Sequence, residues 1–134
     1  MPRTAKKPTR KKLVQKLDTV FSRYVRMSNA DHRGFCECVT CKKKFYWKNI
    51  QAGHFMSRKH YSTRWDEQNV YPQCVGCNVY KNGEQYKYSI FLGGDLSEEM
   101  HRKSNQIVKF SSLELEFLIN KYTELVKALE KKYI

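Results

Sequence analysis

Two Cys-x-x-Cys pairs, Cys38-Val39-Thr40-Cys41 and Cys74-Val75-Gly76-Cys77, constrain this chain more than any other feature. A two-residue spacer lets a tight turn aim two thiolates at one ion, and two such turns close a tetrahedral Zn²⁺ site. Four thiolates leave no open coordination position, so this zinc is expected to be structural. Everything between Cys41 and Cys74 must leave the site and return to it, and that gap is longer than in a simple zinc ribbon. A functional insert fits there. The fifth cysteine, Cys36, reads as a free or buried thiol, although it could replace Cys38 as a ligand. No run of apolar residues exceeds three, so neither a membrane span nor a signal-peptide core is expected. The expected compartment is a reducing cytoplasm, where cysteines hold metal rather than pair.

The insert carries a histidine, and two asparagines follow it in order: His54, Asn69, then Asn78 directly after the second cysteine pair. Lys48 to Phe55 reads as a strand, Ser57 to Asp66 as a long polar and basic loop, and 69–73 as a second short strand. After Cys77 a helix is expected, loosened at Lys81-Asn82-Gly83, resumed from Glu84 to Leu92 and stopped by Gly93-Gly94.

Helices should flank this core. Leu13, Val14, Leu17, Val20, Phe21, Tyr24 and Val25 recur at helical spacing, giving an amphipathic helix from Lys11 to about Ser28. Asn29 to Gly34 is turn chemistry, with His32 an exposed bystander. Asp95-Leu96-Ser97-Glu98 reads as a capping box opening a short helix to about Ser104, and Ser111-Ser112-Leu113-Glu114 as a second box opening the terminal helix. That helix should pack on the first helix or on a second subunit.

Charge names the class of partner. Lys and Arg number 26 against 13 Asp and Glu, a net charge of +13, which calls for a polyanion. Residues 1–10 form a basic arm expected to be flexible, and 11–134 a single domain. Lys11, Lys12 and Lys16 are candidates for phosphate contact, with a solvated helix face as the alternative.

Strand, His, loop, strand, Asn, cysteine pair and Asn-bearing helix together resemble the HNH, or His-Me finger, nuclease motif. More closely, Ala52-Gly53-His54-Phe55 with Ser57-Arg58, then Asn69, then Gln73-Cys74-x-x-Cys77-Asn78, resembles the phage NinG/Rap recombination endonuclease family. The resemblance implies an α+β fold: a zinc-stabilised ββα-metal core at about 36–92, flanked by N- and C-terminal helices. It also implies a metal-dependent DNA endonuclease acting on branched recombination intermediates such as Holliday junctions or D-loops. A homodimer would suit two symmetric cuts, and a phage-encoded protein would work in the bacterial host cytoplasm.

Phosphodiester hydrolysis needs a base for water, neutralisation of transition-state charge and support for the leaving oxygen. His54 can serve as general base. Asn78 can offer its oxygen to a Mg²⁺ or Mn²⁺ ion that also touches phosphate. Asn69, by the resemblance, pins the loop and fixes the His54 tautomer. Arg58 is the candidate for phosphate or transition-state charge, with Lys59, His60 and Arg64 behind it. Many HNH motifs place an Asp or His ligand where this chain has Gly53, so Asp66 or Glu67 would have to be recruited or the metal held loosely. A non-catalytic zinc-finger nucleic-acid-binding protein and an RNA-associated structural protein are the competing readings.

Overall fold

The structure is a computed structural model and describes residues 7–133. The expected basic arm at 1–10 lies outside these residues as far as residue 6. Its end is already ordered structure: the Thr9 hydroxyl accepts the Lys12 N–H at 3.2 Å and caps α1 (Arg10–Ser28). The buried stripe of α1 is Leu13, Val14, Leu17, Phe21, Val25 and Met27, close to the apolar periodicity of the sequence.

The terminal helix α5 (Ser112–Glu130) begins with the expected capping box, Ser111 and Glu114 bonding each other's backbone N–H. It packs along α1 through Leu115, Ile119, Tyr122 and Val126, with Phe21 and Tyr122 ring-edge to ring-face at 4.9 Å. Of the two partners considered for this helix, α1 is the one it covers.

Between these helices lie two small antiparallel sheets. In the first, β1 (Phe35–Glu37) pairs with β2 (Lys44–Tyr46), and the turn joining them carries Cys38 and Cys41. The sequence gives no sign of this pairing, because cysteines and lysines dominate it. In the second, β3 (Gln51–His54) pairs with β4 (Val70–Gln73), His54 opposite Val70 and Gln51 opposite Gln73. The strand expected from Lys48 is shorter than that, since Trp47–Asn49 forms a 3₁₀ turn.

Strand alternation splits the β3–β4 hairpin into two working faces. Ala52 and Val70 lie in the core with Leu17, Phe21 and Trp65. The opposite face meets the helices after the second cysteine pair: the Tyr88 hydroxyl donates to Gly53 O at 2.6 Å and accepts the Tyr71 N–H at 3.0 Å, tying both strands to α3 (Gln85–Leu92).

The helix expected after Cys77 is a π-helical turn, Gly76–Tyr80, followed by a left-handed bend at Asn82, Gly83 and Glu84 (φ 51°, 86° and 48°). The expected polar loop 57–66 contains a helical turn, α2 (Tyr61–Arg64), whose Ser62 and Thr63 are buried. The first expected capping box does not form. Helix α4 runs Gly94–Ser104 from Gly93 (φ 88°), and the Ser97 hydroxyl donates to Ser89 O across the α3–α4 joint instead. The architecture is mixed helix and small sheets, α+β, and no helix among the described residues is long and apolar enough to cross a membrane.

Candidate functional site

Two turns bring the cysteine pairs together. The four sulfur atoms of Cys38, Cys41, Cys74 and Cys77 lie within 4.8 Å of one another, with Cys41 and Cys74 Sγ 3.8 Å apart. A tetrahedron with Zn–S bonds of about 2.3 Å has edges of about 3.8 Å, so the donor set suits zinc. Hydrogen-bond donors reach two of the sulfurs. Backbone N–H groups of Cys74 and Cys77 point at the sulfurs of Cys38 and Cys74, at 3.3 and 3.5 Å. Thr40 Oγ1 lies 3.4 Å from Cys38 Sγ and accepts the Gln73 amide N–H at 3.2 Å, so its own proton is left for the sulfur. Burial pushes the Cys77 thiol up to about 12, while at Cys38 burial is outweighed by hydrogen bonds from Thr40 and Cys74, bringing it to about 6. Cys36 stands apart as a buried thiol, raised by burial to about 11.

Beside this cluster opens a cleft of about 930 Å³, with Asp18 and Arg26 from α1, His54 and Arg58 from β3 and its loop, and Asn78 and Asn82 from the π turn and bend among its walls. The structure thus brings His54, Arg58 and Asn78 to one cavity.

His54 ends β3, and its Nε2 lies 2.8 Å from Arg64 O. A carbonyl only accepts, so Nε2 carries a proton and the neutral ring keeps its lone pair on Nδ1. Burial, joined by the charges of Arg58 and Arg64, lowers the His54 pKa below its ordinary 6.5 against the opposing pull of Asp18 and the Arg64 carbonyl. The imidazole is therefore neutral at pH 7. Asn78 donates its amide N–H to Gln51 Oε1 at 2.8 Å, and in this orientation its oxygen is the free acceptor. It sits on a π-helical turn, a rare geometry concentrated at functional sites.

Asn69 is fully buried and does not touch His54 by a hydrogen bond. Its oxygen accepts the Met56 N–H at 2.8 Å and its amide donates to Met56 O and Thr63 O at 3.1 and 3.0 Å. It ties Met56 to Thr63 across the loop, whereas the tautomer of His54 is fixed by the Arg64 carbonyl.

Arg64 is not a free surface cation. Its guanidinium grips Asp18 through Nε at 3.1 Å and Nη2 at 2.6 Å and donates to Arg58 O at 2.7 Å. Its expected phosphate contact is thereby replaced by an internal ion pair. Arg58 is 62% exposed with only a 3.8 Å approach to Asp18, so its charge is available to a ligand. Lys59 is exposed, and His60 lines the cleft. Lys11, Lys12 and Lys16 are exposed on α1. At about 3.6 residues per turn, Lys11 falls in line with Asp18, whereas Lys12 and Lys16 fall about 120° and 160° round the helix.

Neither acid considered as a recruited ligand reaches the cleft wall. Asp66 pairs with Lys103 and accepts the Gln68 N–H, and Glu67 accepts from the hydroxyls of Tyr24 and Tyr122. The acid at the cleft is Asp18, which sequence reasoning passes over as one polar position of an amphipathic helix. Gln51 is missed too, its only signal being polarity within a strand segment, and Gln73, quoted for the resemblance, is given no role there. Gly53 follows from Gln73: a Cβ there would stand 2.7 Å from Gln73 Cβ and closer still to its Oε1. A ligand-bearing residue cannot occupy that position while Gln73 does.

No curated protein and no solved structure matches the chain. The family model described as Bacteriophage Lambda NinG protein matches residues 2–132. A match over nearly the whole length carries the cysteine cluster, the hairpin and the cleft alike, and the chain belongs to the bacteriophage lambda NinG family.

Proposed function

We propose that the protein is a metal-dependent DNA endonuclease of HNH type, akin to the Rap enzymes, that hydrolyses phosphodiester bonds in branched recombination intermediates such as Holliday junctions or D-loops. The observation carrying this reading is the pairing, in one basic-walled cleft, of a neutral histidine with its proton held on Nε2 and an asparagine oxygen freed for a cation.

His54 takes a proton from water at Nδ1, and the Arg64 carbonyl steadies the imidazolium that results. Arg58 meets the phosphate and its developing charge. Asn78 Oδ1, oriented by Gln51, is the protein's ligand for Mg²⁺ or Mn²⁺, and such an ion when bound neutralises phosphate charge and supports the leaving oxygen. One protein oxygen beside substrate phosphates fits the hard, water-retaining chemistry of Mg²⁺. The four-cysteine zinc is structural. Two symmetric cuts would call for a homodimer, and the host cytoplasm is the setting for such a phage-family enzyme.

The test is cleavage of a labelled four-way junction and a matched linear duplex in Mg²⁺ or Mn²⁺. Wild type should cut the junction, and His54→Ala should lose roughly 10²- to 10⁴-fold in rate. Binding of both DNAs by both proteins with no cleavage would instead make the chain a zinc-finger nucleic-acid-binding protein.

A further inference from the structure

Two tyrosines, each next in sequence to a residue of the cleft wall, have no structural employment. Tyr80 ends the π turn and Tyr86 lies in the first turn of α3, and their relative exposures are 80% and 79%. Neither ring packs on another ring, and neither hydroxyl has a partner, among the described residues. Each follows a residue of the cleft wall, Val79 and Gln85 respectively.

The bend between them presents these rings at a conformational cost. Asn82 and Glu84 adopt positive φ without being glycine, a strain that persists where the surrounding structure enforces it. Its N–H groups are spent inside the turn: Lys81 donates to Gly76 O, Gly83 to Cys77 O and Glu84 to Lys81 O. The bend therefore offers a phosphate no backbone donors, only the rings and the Lys81 ammonium. Lys87 is held by Glu84 at 3.6 Å.

Exposed aromatic rings with lysines along a basic groove are the chemistry that stacks unpaired bases, because every base has a π-face and duplex pairing hides it. We infer that Tyr80 and Tyr86 form a stacking platform for unpaired DNA bases next to the cleft, and that this platform discriminates branched from fully paired DNA. The inference rests on reading the cleft as the phosphodiester site and assigns the recognition of strand separation to two named residues.

The experiment uses full-length, zinc-loaded His54→Ala protein, so that binding is measured without cleavage. Its ligands are a forked DNA carrying 2-aminopurine in the unpaired arm and a fully paired duplex of the same length. The parent should quench the 2-aminopurine, and adding Tyr80→Ala with Tyr86→Ala should abolish the quench. The forked-to-duplex affinity ratio should fall roughly 5- to 150-fold for each base stack lost, and the Tyr→Phe pair should restore both. An unchanged ratio with the quench intact overturns the platform, even if the wild type cuts junctions. Loss of ratio and quench with a wild type that never cuts DNA supports the platform and overturns the nuclease reading alone.

Discussion

Replacing Asp18 by alanine removes an anion on which three side chains converge. Arg64 reaches it at 3.1 and 2.6 Å, Trp65 Nε1 donates to it at 3.0 Å, and Arg58 approaches to 3.8 Å. The Asp18 and Arg64 side chains are 16% and 14% exposed, so solvent screens the pair little. Breaking such a pair from one side leaves a desolvated guanidinium and costs about 3–5 kcal/mol. Arg64 keeps its bond to Arg58 O at 2.7 Å, which favours the lower end. Unfolding entropy scales with chain length, so for 134 residues each kcal/mol lowers Tm by about 3.6 °C, and the expected fall is about 10–14 °C. Asp18→Asn keeps the shape and one acceptor and should lose about half as much. Thermal unfolding of the zinc-loaded proteins by circular dichroism measures both. The charge of Asp18 also holds the His54 pKa up against burial, so the Asp18→Asn protein should titrate His54 at a lower pH by NMR. A Tm within about 3 °C of wild type for Asp18→Ala, or a rise in the His54 pKa, would refute this account of how the cleft is braced.

Asn69→Ala should cost at least about 3 kcal/mol by urea unfolding, since it orphans one N–H and two carbonyls in the interior, and Asn69→Asp should be worse at neutral pH because a carboxylate would face those carbonyls. Gly53→Ala should destabilise by about 1–3 kcal/mol through collision with Gln73, and Gln73→Ala in the same chain should recover part of that loss; additive costs would remove the steric explanation. Stripping zinc with a strong chelator should unfold the chain, because structural zinc binding of about 10–16 kcal/mol exceeds the usual net stability of a domain; a folded, metal-free protein by circular dichroism would contradict it. His54 binds its proton more weakly folded than unfolded, so stability should drop as pH falls below 6.5, and His54→Gln should flatten that drop in urea midpoints.

What the sequence made legible was whatever a short local pattern encodes. Paired cysteine spacing, the apolar stripe of α1 and the Ser111–Glu114 box each depend on neighbours in the chain, and each appears in the structure as expected. The Asp95 box failed because a glycine with φ 88° starts α4 two residues early and Ser97 bonds Ser89 instead, a contact between helices. Asp18, Gln51 and Gln73 were illegible for the same reason, since their partners lie 46, 27 and 33 positions away. Arg64 was misread because counting cations cannot say which of them is already neutralised by an acid elsewhere in the chain.

The distant contacts also explain why a structural metal should sit beside a cleft at all. A slip of one residue in the β3–β4 register would swing His54 to the opposite face of the hairpin. The strand pair itself is only two short strands, too few to be stable alone. Register is pinned from the cysteine end: Gln73, the last residue of β4, fills the space left by Gly53 and bonds Thr40 and Gly83 O, while Thr40 in turn contacts Cys38. From the same end, Asn78 donates its backbone N–H to Cys74 O at 2.8 Å, so the turn that ligates also sets the asparagine. His54 and Asn78 are therefore held relative to each other through the cysteine cluster, so the spacing between base and ligand is set by the turns that carry the sulfurs.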